Sequence, residues 1–354
     1  DTAGRQQVRA AAKARADSGD GLIVVEQRGA DWEPLMERVI VLNRDGSLLC
    51  DGSPRDIFTR YGQKMRAQGV WQPQAVRLSD ELAGLGCSLS PLPLDAAELK
   101  DLRPPQELLK KAFTRAFGTQ RPHKRSETAI LEAQDVSVRY GQTATAVSHV
   151  SLKITQGSFI ALVGRNGSGK STLAKTLAAL IKPESGTVSL FGHDVFNMSS
   201  DKLFSTIGYV FQNPEHQFLR DSVWAELAYS VDQAGSTGED AHKNVKDLID
   251  KFDLGGLEAE NPFSLSGGQQ RKLSVATMLA GGRKILILDE PTFGQDEQGT
   301  CELMEKLSEL NRAGVTILMI THDLDLVDRY ADEVAMLING SLAYCGNPRG
   351  LWQK

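Results

Sequence analysis

The sequence predicts an α/β fold in which one complete domain follows the end of a similar, incomplete one. Three observations indicate this. A short apolar run, a glycine-rich loop and a helix-like stretch follow one another at residues 158–181, and a second apolar run ends in two acids at 284–290. Residues 23–58 also resemble residues 318–352, so the chain contains part of a repeat.

The composition is that of a globular protein with about two domains. The chain has 354 residues, 41% hydrophobic and 24% charged. Its formal net charge of −5 provides no global basic field, so we expect no nucleic-acid partner. The longest apolar runs are far shorter than the ~20 residues of a spanning helix, so any membrane role is expected to be peripheral. The four cysteines are widely spaced, which favours neither a disulfide framework nor a zinc site.

The repeat gives an interpretation of the start of the chain. Its matched positions keep a constant offset, with one insertion, in the pairs Asp1 and Asp296, Gln27 and His322, Val39 and Val334, Gly46 and Gly340, and Gly52 and Gly346. We interpret residues 1–58 as the C-terminal remnant of a first domain and expect the chain to be a piece of a longer protein. A natural protein without that half is the alternative, and accidental likeness of two α/β segments is another.

Residues 59–126 are predicted to be a partly helical linker. Proline and charged residues are scattered among short helix-like pieces such as "QELLKKAFTRAF". The basic run at 121–125 has the charge to touch anionic lipid or a partner, but a solvated linker is the favoured interpretation. No chemistry is assigned to this segment.

The glycine-rich loop "GRNGSGKST" predicts a nucleotide site. It satisfies the pattern G-x-x-x-x-G-K-[ST] after a strand and before a helix, where glycines let backbone N–H groups close around phosphate oxygens. Lys170 would reach the β and γ phosphates, and Ser171 would bind Mg²⁺. A tight turn is the duller alternative. The candidate nucleotide-binding residues here are Gly164, Arg165, Asn166, Gly167, Ser168, Gly169, Lys170, Ser171 and Thr172.

The stretch "KILILDEP" supplies the carboxylates for this site. Four apolar residues followed by two acids are typical of a buried parallel strand that brings side chains to its C-terminal edge. Asp289 can then hold Mg²⁺ through water, and Glu290 can polarise the attacking water. Without the glycine loop upstream, two surface acids at a strand end would be the better interpretation.

A third motif, "LSGGQQRKLSVATMLA", predicts an amphipathic helix that opens at Ser266, Gly267 and Gly268. The unpaired N–H groups at such a helix start can hold an anion.

In this order, the glycine loop, "LSGGQ" and "LILDE" resemble the ATP-binding cassette (ABC) ATPases over residues 127–354, which we take as one complete domain. The resemblance implies a P-loop NTPase fold: a mixed sheet core with an antiparallel β subdomain and a helical subdomain. It implies ATP and Mg²⁺ as ligands.

The resemblance also assigns roles to further residues. Tyr140 would stack on adenine, Gln212 would contact Mg²⁺ or water and sense the transport partner, and His322 would contact the γ-phosphate. Asp296 matches the loop that crosses the interface between two cassettes, and residues Ser266 to Gln269 would act on the ATP of a second cassette. Tyr140, Gln212 and His322 each have a purely structural alternative: a strand-end core aromatic, a loop amide and a capping residue, respectively.

Within that family, "FQNPEHQFLRDSVWAELAYS" resembles the ATPases of energy-coupling factor importers, and "DEPTFGQD" resembles tandem forms associated with thiamine or its pyrimidine precursor. This implies ATP hydrolysis at the cytoplasmic face of the membrane, with a coupling subunit and a substrate-binding subunit as integral membrane partners. A soluble ABC protein acting on ribosomes or nucleic acid is the alternative, but it would be expected to carry a strongly basic insert. A non-catalytic nucleotide binder would usually have lost Lys170, Glu290 or His322.

Overall fold

The computed structural model of the chain describes residues 2–25, 32, 35–43, 45–117, 126, 128–141, 144–280 and 282–351. These residues form two compact units. Unit 1 comprises Asp1–Thr119 with Gly294–Cys301, and unit 2 comprises Gln120–Phe293 with Glu302–Lys354. In the part that is described, no helix combines the length and the apolar character needed to cross a membrane.

The described residues of unit 1 before 118 form one antiparallel hairpin and five helices. The elements in chain order are α1 (Thr2–Asp17), β1 (Val39–Leu42), β2 (Leu48–Gly52), α2 (Pro54–Ala67), α3 (Gln74–Gly84), α4 (Ala96–Asp101) and α5 (Gln106–Phe117). α2 begins where Ser53 accepts a hydrogen bond from the amide of Asp56 and Pro54 opens the first turn. Its buried face packs Ile57 and Phe58 against the hairpin.

The predicted boundary between remnant and linker, at 58/59, falls inside α2. The helix is continuous across it, and a second small core of residues from α3, α4 and α5 follows. The helix-like stretch "QELLKKAFTRAF" is α5. The basic run at 121–125 lies outside the described residues. Residues 294–301, which the sequence placed within the complete domain, group with unit 1.

Unit 2 combines two sheets with helices. Its strands are β3 (Ala129–Tyr140), β4 (Ala144–Thr155), β5 (Phe159–Gly164), β6 (Ser185–Leu190), β7 (His193–Asp194), β8 (Ile207–Val210), β9 (Ile285–Asp289), β10 (Thr316–Ile320), β11 (Glu333–Ile338) and β12 (Ser341–Gly346). Its helices are α6 (Lys170–Leu177), α7 (Ser200–Phe204), α8 (Val223–Gln233), α9 (Gly238–Lys251), α10 (Gly267–Leu279), α11 (Glu297–Arg312, beginning in unit 1), α12 (Leu324–Tyr330) and α13 (Pro348–Leu351).

The larger sheet has the strand order β12-β11-β5-β10-β9-β8 and is parallel except between β11 and β12. The smaller sheet, β4-β3-β6-β7, is antiparallel. In β9, Ile285 and Ile287 face a core shared with the smaller sheet, while Leu286 and Leu288 face a core shared with α8, α9 and α10. A strand buried on both faces needs an unbroken apolar run, so the predicted buried parallel strand is confirmed. The predicted α/β fold is confirmed with it.

The prediction that α10 is amphipathic was wrong. Most of the helix is buried, including polar residues at Gln270, Arg271, Ser274 and Thr277. Its apolar residues pack in the core between the larger sheet and α8 and α9. The polar side chains are tolerated inside because they are hydrogen-bonded: Gln270 Nε2 donates to the carbonyl of Pro262 at 3.1 Å, and Ser274 Oγ donates to that of Arg271 at 2.9 Å.

The two β hairpins have the same register. In β1–β2, Val39 pairs with Gly52, and the register shifts between Val41 and Leu42. In β11–β12, Val334 pairs with Gly346, and the register shifts between Met336 and Leu337. These are the positions that the sequence repeat aligns, so the repeat has a structural counterpart.

Candidate active site

The glycine loop joins the C-terminal end of β5 to the start of α6. Gly164 and Gly169 have φ values of 149° and 97°, in the region that favours glycine. A Cβ atom at Gly164 would overlap the carbonyl oxygen of Leu337, and one at Gly169 would overlap that of Ala146. Only glycine fits at both positions. These close backbone contacts set the path of the loop and therefore the positions of the amides between the two glycines.

The start of α6 has the geometry of an anion-binding helix end. Gly169 is the residue before the helix and supplies no side-chain cap, so first-turn amides at Lys170, Ser171 and Thr172 lack intrahelical acceptors. The buried Ser168 side chain carries an oxygen without a hydrogen-bond partner among the described residues. These donors meet at one helix end, where a phosphate would lie.

Lys170 is buried in the loop that precedes it. Its Nζ donates to the carbonyl oxygen of Gly164 at 2.8 Å and of Arg165 at 2.9 Å. Burial lowers the pKa of Lys170, while the negative charges of Glu290 and Asp289 oppose that shift. The structure therefore brings the two acids of "LILDE" into the electrostatic field of the loop lysine.

Asp289 ends β9 and is buried. Tyr209, on the neighbouring strand β8, donates its hydroxyl to Asp289 Oδ2 at 3.0 Å. Burial first, and then the Asp289 charge, raise the pKa of Tyr209, so the phenol stays a proton donor. In the described part of the chain, Asp289 Oδ1 has no hydrogen-bond partner. An unpartnered buried carboxylate oxygen is a hard ligand, which fits Mg²⁺.

Glu290 meets His322 at the same sheet edge. β9 and β10 run parallel, with Asp289 opposite Ile320, so residues that follow the two strands lie side by side. His322 Nδ1 is 2.9 Å from Glu290 Oε2. Glu290 has a φ of 49°, rare for a residue with a side chain, and its amide donates to the carbonyl of Ile320. An imidazole and a carboxylate in contact can together orient and deprotonate a water.

Gln212 follows β8 and is exposed. Arg271 of α10, buried, donates to the carbonyl oxygens of Phe211 and Gln212, each at 2.6 Å. Burial lowers the pKa of Arg271 to about 10, which leaves the guanidinium charged at neutral pH. The helix that carries the "LSGGQ" motif is thereby tied to the backbone that presents Gln212.

Tyr140 ends β3 with an exposed ring, and its hydroxyl lies 3.4 Å from Thr172 Oγ1 in the first turn of α6. The structure therefore brings Tyr140 to the glycine loop, with a face open to a flat ligand.

The "LSGGQ" residues form a capping box at the start of α10. Ser266 Oγ accepts from the amide of Gln269, and Gln269 Oε1 accepts from the amide of Ser266 at 2.9 Å. This satisfies two of the donors that the sequence assigned to an anion and leaves the first-turn amides of Gly267 and Gly268. Among the described residues, no hydrogen bond joins this helix start to the glycine loop.

Asp296 belongs to unit 1, where its Oδ1 accepts from the amide of Gly299 at 2.7 Å. Gln27, aligned with His322 by the repeat, lies outside the described residues.

Sequence reasoning missed two residues that hold this site together, Tyr209 and Arg271. Their partners lie 80 and 60 positions away in the chain, so no local pattern signals the contacts. The only sequence signal was position: Tyr209 lies three residues before Gln212, and Arg271 follows the "LSGGQ" motif by two residues.

Comparison with known proteins identifies the family. The family model described as ABC transporter matches residues 147–293. The energy-coupling factor transporter ATP-binding protein EcfA of Methanococcus maripaludis is 38% identical, over 63% of this chain and 81% of that protein. The chain belongs to the ABC transporter ATP-binding proteins. Members of this family hydrolyse ATP to drive transport.

The similarity of this ABC chain to a relative also extends over nearly its whole length. A Bacillus subtilis protein provisionally named HMP/thiamine import ATP-binding protein YkoD is 36% identical over 338 residues, 96% of this chain. The chain spans only 58% of that relative's length. Among solved structures, cbiO1 of Clostridium perfringens, part of the ABC transporter complex cbiONQ, has a TM-score of 0.58 and 31% identity, over 64% of this chain and 92% of that one.

Proposed function

We propose that this chain is the ATP-binding and ATP-hydrolysing part of a membrane importer of the energy-coupling factor type. The contact of 2.9 Å between His322 Nδ1 and Glu290 Oε2 carries the proposal, because it completes a hydrolytic pair beside the glycine loop. A protein that only bound nucleotide would not need this pair.

The first task of the chain is to hold ATP. The amides of the glycine loop and of the α6 start bind the β and γ phosphates, and Lys170 neutralises part of their charge. Its Nζ, which now donates to Gly164 and Arg165, exchanges those carbonyls for phosphate oxygens. Ser171, Gln212 and Asp289 would hold Mg²⁺, which supplies positive charge to the phosphates.

The second task is to deliver a water. Glu290 accepts a proton from the water while the water oxygen forms a bond to the γ-phosphorus. The bond from that phosphorus to the bridging oxygen breaks, giving ADP and phosphate. In its protonated form, His322 donates from Nδ1 to the Glu290 carboxylate, which holds it in position, and from Nε2 toward the γ-phosphate oxygens. The strained backbone of Glu290 fixes its side chain before the substrate binds.

The decisive test replaces Glu290 by Gln in the longest natural form of the protein. We expect ATP to bind as in the wild type while turnover falls about a hundredfold or more, the scale of a lost general base. Lys170→Ala is the matched control and should weaken binding itself. Undiminished turnover in Glu290→Gln would overturn the catalytic assignment.

The importer assignment rests on the relatives. One is named for energy-coupling factor transport and another provisionally for HMP/thiamine import. We infer that the chain works at the cytoplasmic face of the membrane with a coupling subunit and a substrate-binding subunit, and that thiamine or its pyrimidine precursor is the first cargo to test. The exposed segment around Gln212 is the proposed docking surface.

Co-purification tests this part. The longest natural form, extracted from detergent-solubilised membranes, should carry integral membrane proteins with it. Recovery only with ribosomes or DNA would contradict the importer assignment.

We also propose that residues 1–58 are the end of a first cassette. Ile40 and Leu42 in β1 are 58% and 57% exposed, whereas the aligned Ala335 and Leu337 in β11 are 0% exposed. In unit 2, Ala335 and Leu337 are buried in a core shared with the smaller sheet, while β11 pairs in parallel with β5, the strand that leads into the glycine loop. The exposed apolar face of β1 supports the proposal that an equivalent core of a first cassette covers it in the longer protein.

A further inference from the structure

Residues 69–77, here named the strap, connect α2 to the first residues of α3 within unit 1. The strap contacts residues 294–298 of the same unit, here named the acidic loop. The amide of Glu297 donates to the carbonyl of Gly69 at 3.0 Å, and Trp71 Nε1 donates to the carbonyl of Gln295 at 3.5 Å. An ion pair joins Arg77 to Glu297, with 2.6 Å between Nη1 and Oε1.

These contacts are more buried than typical surface contacts. The Arg77 and Glu297 side chains are 16% and 10% exposed, so their charges are little screened by water. Gly69 has a φ of 79°, and a Cβ atom there would lie 3.0 Å from Asp296 Oδ2 and 3.1 Å from Gln298 Cβ. Backbone, charge and close packing all fix the strap against the acidic loop.

The acidic loop is close in sequence to Glu290, the proposed general base. It begins four positions after Glu290 and contains Asp296, whose carboxylate also accepts from the amide of Gly299. A loop attached so near a general base transmits its own displacement to that base, and displacements of about 1 Å can cost as much as 100-fold in rate.

We propose that the strap sets the position of the acidic loop, and that Arg77 is a positioning residue for ATP hydrolysis, acting through Glu297. The inference rests on the proposed hydrolytic function of the chain. It makes the linker between the two halves of the sequence a working part of the ATPase.

The test compares Arg77→Ala with wild type in the longest natural form of the protein. We expect kcat for ATP to fall about tenfold with an unchanged KM, because the loop is displaced and the phosphate-binding residues are not. The charge exchange Arg77→Glu with Glu297→Arg should recover most of the loss. Trp71→Phe, which removes one donor and keeps an aromatic ring, should lower kcat less, and it provides a second readout where Arg77→Ala folds poorly.

The matched control is Arg55→Ala. Arg55 also forms an ion pair inside unit 1, with Glu98 at 2.8 Å, but both side chains are more than a third exposed, and their other described hydrogen bonds go to the backbone of Leu92 and Leu94. This variant should leave kcat unchanged.

Hydrogen exchange gives a readout that is independent of turnover. The amides of residues 294–298 should exchange faster in Arg77→Ala than in wild type or Arg55→Ala. If exchange and kcat both stay at wild-type values, or if kcat rises, the strap does not position the loop and the inference is overturned. If wild type itself lacks ATPase activity, the proposed function fails, while the exchange result still decides whether the strap holds the loop.

Discussion

At the residue scale, the site depends on side chains that hold other side chains. Asp289 has one oxygen bonded to Tyr209 and one buried oxygen with no partner in the described chain, so the hydroxyl selects which oxygen is available to a metal ion. Glu290 is held by His322 and by a backbone conformation that costs roughly 1–3 kcal/mol in a residue with a side chain. Such strain is tolerated because the parallel strands β9 and β10 fix both ends of the contact.

Tyr209→Phe tests the first of these arrangements. It removes one buried hydroxyl and leaves the ring in place, so the Asp289 carboxylate loses a fixed orientation. We expect the Mg²⁺ concentration for half-maximal ATPase activity to rise about tenfold, the scale typical of residues that orient metal ligands. The measurement is a Mg²⁺ titration of turnover, paired with Mn²⁺ binding in the presence of ATP.

The control is Tyr229→Phe, which loses the same hydroxyl from a ring that stacks on Arg220. It should titrate like wild type. If both variants show the same Mg²⁺ dependence, Tyr209 does not orient the Asp289 carboxylate for metal binding.

At the element scale, two hairpins with one register have different surroundings. β11 is flanked by β5 on one side and by β12 on the other, while β1 pairs with β2. Their inner faces are alike: Val41 and Cys50 pack on α2, and the aligned Met336 and Tyr344 pack in a small core that includes Val327. The two elements differ in whether the opposite face is covered.

This difference predicts that replacing each of the two aligned leucines by alanine changes the free energy of unfolding by different amounts. Leu337→Ala should lower the free energy of unfolding by about 2–5 kcal/mol, because it opens a cavity in a packed core. Leu42→Ala should change it by less than about 0.5 kcal/mol in the chain described here, because the side chain is already in water. Urea unfolding followed by circular dichroism measures both.

The same pair also tests the proposed first cassette. In a natural protein that includes residues before Asp1, Leu42→Ala should become as costly as Leu337→Ala. A Leu42 substitution that stays neutral in the longer protein would argue against a core of a first cassette at this face.

At the scale of the whole molecule, the sequence predicts two ATP sites of unequal activity. The repeat aligns Gln27 with His322. An amide can donate a hydrogen bond to phosphate, but it carries neither the charge of a protonated imidazole nor its proton. If two cassettes pair head to tail, the site with Lys170, Glu290 and His322 should perform most of the hydrolysis.

Steady-state ATPase activity of the longer protein distinguishes the two sites. His322→Ala should cause a strong loss, whereas Gln27→Ala should cause little. Equal losses would show that Gln27 substitutes adequately for the histidine, and the two sites would then be equivalent. Residues 127–354 alone should hydrolyse ATP slowly, through pairing of two copies.

The sequence by itself determined the fold class, the glycine loop, the two acids and the start of α10. Each is encoded in a short stretch whose residue types have one compatible backbone: glycine where φ is positive, an unbroken apolar run where a strand is buried on both faces, serine before a helix. Tertiary structure decided which of these residues meet. The bonds of Tyr209 to Asp289, of Arg271 to the backbone before Gln212, and of Arg77 to Glu297 join residues far apart in the chain. Such contacts form only when strands and helices pack, so the local periodicity of the sequence could not predict them.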